Sequence, residues 1–140
     1  MEPHMILPMF AMVLLTFFVL IYGLRIRVSA VKTGAVDVSY FKTFQTEANV
    51  PERLLQHKNH VDNLFQVPTL FYAAAVCALI LGPSPLMVSL AWCFVATRIV
   101  HSYIHLTYNN VLHRAPAFVL GNICLMVLWI NIVIKSSNTN

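Results

Sequence analysis

The chain has 140 residues, 59% of them hydrophobic and 10% charged, with a mean hydropathy of +0.72. A soluble domain carries about 25% charged residues, so this composition excludes a water-soluble globule and suits a bilayer. The net charge is +4. Its distribution points to membrane topology and contact with lipid, not to nucleic acid.

Four apolar segments, about 6–24, 67–82, 86–108 and 116–134, approach the roughly 20 residues that a spanning helix needs. The first, ILPMFAMVLLTFFVLIYGL, has no basic leader and ends in Arg25 and Arg27 rather than a small-residue cleavage site. It is expected to be a retained helix over 6–27. A polar connection without periodicity follows over 28–50. Pro51 and Glu52 then suit a helix start, and one long helix is expected over 51–82, kinked at Pro68. A third helix is expected over 86–114. Its 28 or so residues would span about 42 Å, more than the hydrocarbon core of about 30 Å. Pro116 is expected to open the fourth helix, over 116–135. The chain therefore reads as one domain: an all-α, integral-membrane, up-down four-helix bundle.

Arg25, Arg27, Lys32, Lys42, Arg53 and Lys58 lie between the first two spans, and Arg114 lies between the last two. The GPSP turn at 82–85 is uncharged, and the tails carry only Glu2 and Lys135. The positive-inside rule places the first and third connections in the cytoplasm and both termini away from it. A multi-pass protein of a bacterial inner membrane or of the endoplasmic reticulum fits this pattern. Cys77, Cys93 and Cys124 all lie in apolar segments without paired spacing, and read as buried small hydrophobes.

The third segment carries a polar stripe. At 100° per residue, Arg98, His101, His105 and Asn109 share an arc of about 80°, with Tyr108 at its border. Facing lipid, a charge there costs about 2.5–3.5 kcal/mol, so the stripe must face protein or a wet cavity. The second helix offers Asn59, Asp62, Asn63 and Gln66 within an arc of about 100°. The two stripes are expected to face each other, within a subunit or across a boundary, with Asp62 neutralising Arg98. Asn122 and Asn131 read as interhelical hydrogen-bonders.

Two stretches carry a family resemblance. NLFQVPTLFYA at 63–73 and RIVHSYIHLTYNNVLHRAP at 98–116 resemble the helix-two and helix-three signatures of the MAPEG family, the membrane-associated proteins in eicosanoid and glutathione metabolism. The resemblance extends through all four spans. It implies a homotrimer with glutathione bound between neighbouring subunits near the cytoplasmic face, and a lipophilic electrophile arriving from the membrane. Arg114 matches the arginine that stabilises the glutathione thiolate. Asn63 and Arg98 match signature positions, and His105 stands where some members have a tyrosine. His101, Tyr108, Asn59, Asp62, Gln66 and Arg53 complete the implied cofactor-binding set. Gln66 replaces the signature glutamate, and Asn59 stands where well-studied members have an arginine. Asp62, one turn away, is a substitute for the missing acid.

The resemblance thus implies a glutathione-dependent transferase or peroxidase. The departures at Gln66 and Asn59 leave open a MAPEG-fold protein without glutathione chemistry, binding lipid or serving a larger membrane assembly. A metal or haem site is a third reading. His101 and His105 are spaced i, i+4 and His57 and His60 i, i+3, as in metal-binding bundles, but a lone HxxxH is too weak a pattern to assign a metal.

Overall fold

The structure is a computed structural model that describes residues 4–43 and 50–138. Glu2 and the 44–49 part of the long connection lie outside the described residues. Five helices follow one another: α1 Ile6–Lys32, the short α2 Tyr40–Thr43, α3 Glu52–Leu81, α4 Pro85–Leu106 and α5 Val111–Ser137. All but α2 are long and apolar enough to cross a membrane.

α1 runs five residues beyond its expected end. No helix breaker occurs between Arg27 and Gly34, whose positive φ of 71° suits a residue without Cβ. The Gly34 N–H donates to the Val31 carbonyl and the Ala35 N–H to the Ala30 carbonyl, the paired bonds of a Schellman ending. Between α3 and α4 the chain turns within GPS. Gly82 takes φ 78°, the Ser84 side chain accepts from the Met87 N–H at 3.3 Å, and Pro85 opens the helix.

The third span ends at Leu106 rather than at 114, which corrects the largest boundary expectation. Three short polar side chains divert the backbone there. The Thr107 hydroxyl donates back to the Tyr103 carbonyl at 2.6 Å. Asn109 adopts φ 49°, a left-handed conformation that asparagine tolerates. The Asn110 carboxamide accepts from the Leu112 N–H at 2.9 Å and caps α5. Pro116, expected to open the last helix, therefore lies more than a turn inside it. Tyr108 and Asn109 belong to the turn, and Arg114 to the first turns of α5.

α1 and α5 each pack against both α3 and α4, while α4 packs most extensively against α5. Buried residues on α3 recur at 57, 60, 64, 68, 71, 75 and 78, the three-and-four spacing of one helix face. Phe71 stacks on Phe94 of α4 at 4.7 Å, and Ala74, Ala75, Ala78 and Ala91 are fully buried beside them. Small side chains of this kind let membrane helices approach closely. Gly23 of α1 lies directly under the His57 ring, and His57 Nε2 is 2.9 Å from the Val19 carbonyl. The exterior is apolar along its length, with Phe10, Phe17, Phe18, Ile80, Val119 and Ile130 exposed. Cys93 is among the exposed residues, contrary to its expected burial.

Candidate functional site

The buried face of α3 carries histidines where it reaches the end shared with the α4–α5 turn. The Gln56 amide donates to the His105 carbonyl and fixes the start of α3 against the end of α4. Burial on α3 is dictated by Leu64, Pro68, Phe71, Ala75 and Ala78, and extending that face towards the N-terminus brings in His60 and His57. Asn59, Asp62 and Gln66 consequently point to the opposite side of the helix and are exposed. The expected facing of two polar stripes within the chain is thus replaced by a histidine face, with Asn63 at its edge.

Arg98 is 1% exposed, and its partner is not Asp62. Its Nη1 donates to Asn63 Oδ1 at 3.3 Å and its Nη2 to Asn122 Oδ1 at 2.7 Å. Its guanidinium carbon lies 4.9 Å from the Phe94 ring centroid and 4.8 Å from that of Phe118. Two amide dipoles and two aromatic faces therefore hold the charge without a carboxylate. Asp62 instead pairs with Lys58 at 3.3 Å on the exposed side of α3. Asn122 is the interhelical hydrogen-bonder that the sequence suggested. Asn131 is not, since it donates to the Val127 carbonyl of its own helix at 2.9 Å.

A recess of about 230 Å³ lies beside this arginine, lined by Asn63, His101, His105, Arg114, Ala115, Phe118 and Val119. Arg114 is half-buried on its wall, and its Nη1 donates to Asn109 Oδ1. The Arg114 carbonyl lies 3.1 Å from His101 Nδ1. The lining holds a cation and no carboxylate, so it is suited to an anion.

Asn63, Arg98, His101, His105 and Arg114 are brought together, as the sequence suggested. Tyr108 is not, because its hydroxyl pairs with His113 Nδ1 at 3.3 Å and its ring is exposed. Arg53 is exposed and lines a separate shallow recess with Tyr22, Arg25 and Pro51. His60, absent from the implied cofactor-binding set and noted in the sequence only for its i, i+3 spacing with His57, also enters the site. Its ring centroid lies 4.8 Å from that of His105 and 6.0 Å from that of His101. The signal was present in the sequence as the continuation of the α3 core spacing from Leu64 back to His60.

Four membrane-length helices, with a cationic polar recess at one end of the bundle, define a multi-pass helical membrane protein. The chain belongs to the MAPEG family, whose family model matches residues 5–134, nearly its whole length. Comparison with curated proteins and with solved structures gives no match.

Proposed function

We propose that the protein is a glutathione-dependent transferase or peroxidase that acts on lipophilic electrophiles, with Arg114 as the catalytic residue. The observation that carries this reading is the Arg114 guanidinium on the wall of a recess that contains no acid. A thiol of pKa about 8.5 is driven towards its thiolate by an adjacent cation. In the transferase reaction the thiol gives its proton to solvent and the sulfur attacks the electrophilic carbon. A carbon–sulfur bond forms, and the leaving group departs as an anion. Asn63 would present its amide N–H donors to the carboxylates of the tripeptide.

The site is completed by a second subunit, in the trimer that the family resemblance implies. A recess of about 230 Å³ falls short of the roughly 300–1,000 Å³ of an ordinary ligand pocket. Asn59, Asp62, Gln66 and Arg53 are exposed, on surface that a neighbouring copy can cover. Their role as cofactor-binding residues belongs to that interface. The basic ends of α1, α3 and α5 lie in the cytoplasm, and the termini lie on the other side.

One observation favours a second reading, a MAPEG-fold protein that binds lipid without thiol chemistry. An apolar groove of about 630 Å³ between α1 and α4, lined by Leu14, Phe18, Ile99 and Tyr103, has room for an acyl chain.

Native mass spectrometry of the detergent-solubilised protein, with and without glutathione, separates the two. Glutathione bound to a trimer, together with conjugation of 1-chloro-2,4-dinitrobenzene that Arg114→Ala abolishes, is the expected result. Trimers that carry lipid and no glutathione would establish the second reading instead.

A further inference from the structure

We propose that His60, His101 and His105 form a binding site for a zinc-type transition-metal dication, a function independent of whether the recess takes glutathione. Each histidine offers one ligand nitrogen, and these atoms all lie within 4.8 Å of one another. Zinc–nitrogen bonds of about 2.0–2.1 Å place tetrahedral ligand nitrogens about 3.4 Å apart. Binding would close the difference by rotating the His60 and His105 imidazoles about their side-chain torsions towards His101.

Two further observations point to a ligand. First, both nitrogens of His60, Nε2 of His101 and Nδ1 of His105 are buried and have no hydrogen-bond partner among the described residues. Leaving such groups unpaired in an apolar interior costs about 1–3 kcal/mol each. A single cation would engage a lone pair on all three rings. Second, His101 is held in the form that ligation needs. Its Nδ1 faces the Arg114 carbonyl at 3.1 Å, and a carbonyl only accepts. The ring proton is therefore on Nδ1, and Nε2 carries the lone pair. A backbone carbonyl that fixes the tautomer of a ligating histidine is a common outer-shell device of metal sites.

The donor set selects the class of metal. Three neutral imidazoles with no carboxylate suit zinc, cobalt(II), nickel(II) or copper and disfavour magnesium and calcium. Three protein ligands leave one position open, the pattern of a reactive zinc centre rather than a structural one. Two of the three, His101 and His105, line the recess, so that position is reached from there. Arg98 and Arg114 oppose a dication. Arg98 is compensated by Asn63, Asn122 and two aromatic rings, and Arg114 is drawn towards Asn109. An anionic fourth ligand such as hydroxide or chloride would offset the remainder.

The test uses the full chain in detergent, purified without a histidine tag, stripped with chelator and titrated with Co²⁺ in the absence of thiol. Expected are about one Co²⁺ per chain and visible d–d absorption of tetrahedral intensity. His60→Ala should weaken binding at least about tenfold, while His113→Ala leaves it unchanged. His60→Cys should retain the metal and add a thiolate-to-cobalt charge-transfer band in the near ultraviolet. No Co²⁺ uptake by the unaltered protein would overturn the proposal. So would uptake that His60→Ala leaves intact, or a His60→Cys protein that binds cobalt without the charge-transfer band. Failure here would leave the glutathione reading standing, because no thiol is present.

Discussion

Asn109 reaches across the turn between α4 and α5 and accepts a hydrogen bond from the Arg114 guanidinium. The turn residue that ends one helix thereby aims the cation on the next. Asn109 also sits at φ 49°, where a residue with Cβ pays about 1–2 kcal/mol unless its side chain hydrogen-bonds locally. The two roles separate by substitution. Asn109→Gly should keep the thermal midpoint in detergent and lower turnover. Asn109→Ala should lower both. Equal turnover in Asn109→Gly and the unaltered protein would mean that Arg114 needs no such support.

Arg98 depends on oxygens from two other helices. Asn122→Leu removes the nearer, at 2.7 Å, and leaves a buried guanidinium N–H without a partner, at about 1–3 kcal/mol. Arg98→Lys should cost a similar amount, because an ammonium lacks the planar fork that spans Asn63 and Asn122. Thermal unfolding in detergent measures both, and an unchanged midpoint in Asn122→Leu would show that the pair contributes no net stability.

Gly121 lies against α4, where an added Cβ would stand 2.6 Å from the Thr97 hydroxyl. That hydroxyl is itself bonded to the Phe94 carbonyl at 2.7 Å, so it cannot simply turn aside. Gly121→Ala should destabilise by the 1–3 kcal/mol or so of an overpacked contact, and Gly121→Val by more. The thermal midpoint in detergent is again the measure, with little change in Gly121→Ala indicating that α5 shifts freely.

Asp37 begins the turn into α2. Its carboxylate accepts from the Ser39 N–H at 2.8 Å, and hydrogen bonding to Ser39, from the side chain first and the backbone second, holds its pKa below the ordinary value of 3.8. A depressed pKa in the folded protein means the bond contributes above the unfolded pKa and is lost as pH falls through the folded one. The turn should therefore be insensitive to pH between about 5 and 8 and loosen only in acid below the ordinary carboxylate range. Carbon-13 chemical shifts of the Asp37 carboxyl report this directly, and a midpoint above 3.8 would contradict it.

The orientation is open to cysteine labelling in a background lacking Cys77, Cys93 and Cys124. Val38→Cys, at an exposed position in the basic connection, should react in intact cells only with membrane-permeant maleimides. Ser136→Cys, at the other end of the bundle, should react with impermeant ones as well. The reverse pattern would overturn the proposed topology.

Much of this was legible in the chain. Four spans follow from apolar run lengths, because a bilayer demands about 20 apolar residues of any helix that crosses it. Residues 98, 101 and 105 stand out because charge and imidazole at membrane depth need a protein partner, and Arg114 through the family resemblance. The end of α4 was misplaced because TYNN reads as polar helix until one sees Asn109 in the left-handed region. The partner of Arg98 was misassigned because charge complementarity favoured Asp62, whereas the helix rotation favoured two amides and two rings.

Composition and apolar run length therefore determined the medium and the number of spans, since these depend on how many apolar residues run together, while the family was legible in the motifs at 63–73 and 98–116. Which polar side chains meet was decided only in three dimensions. The aliphatic face of α3 sets its rotation, and that rotation turns His60 inward and Asp62 outward. A difference of two positions in sequence becomes opposite sides of one helix, because each residue advances the side chain by about 100°.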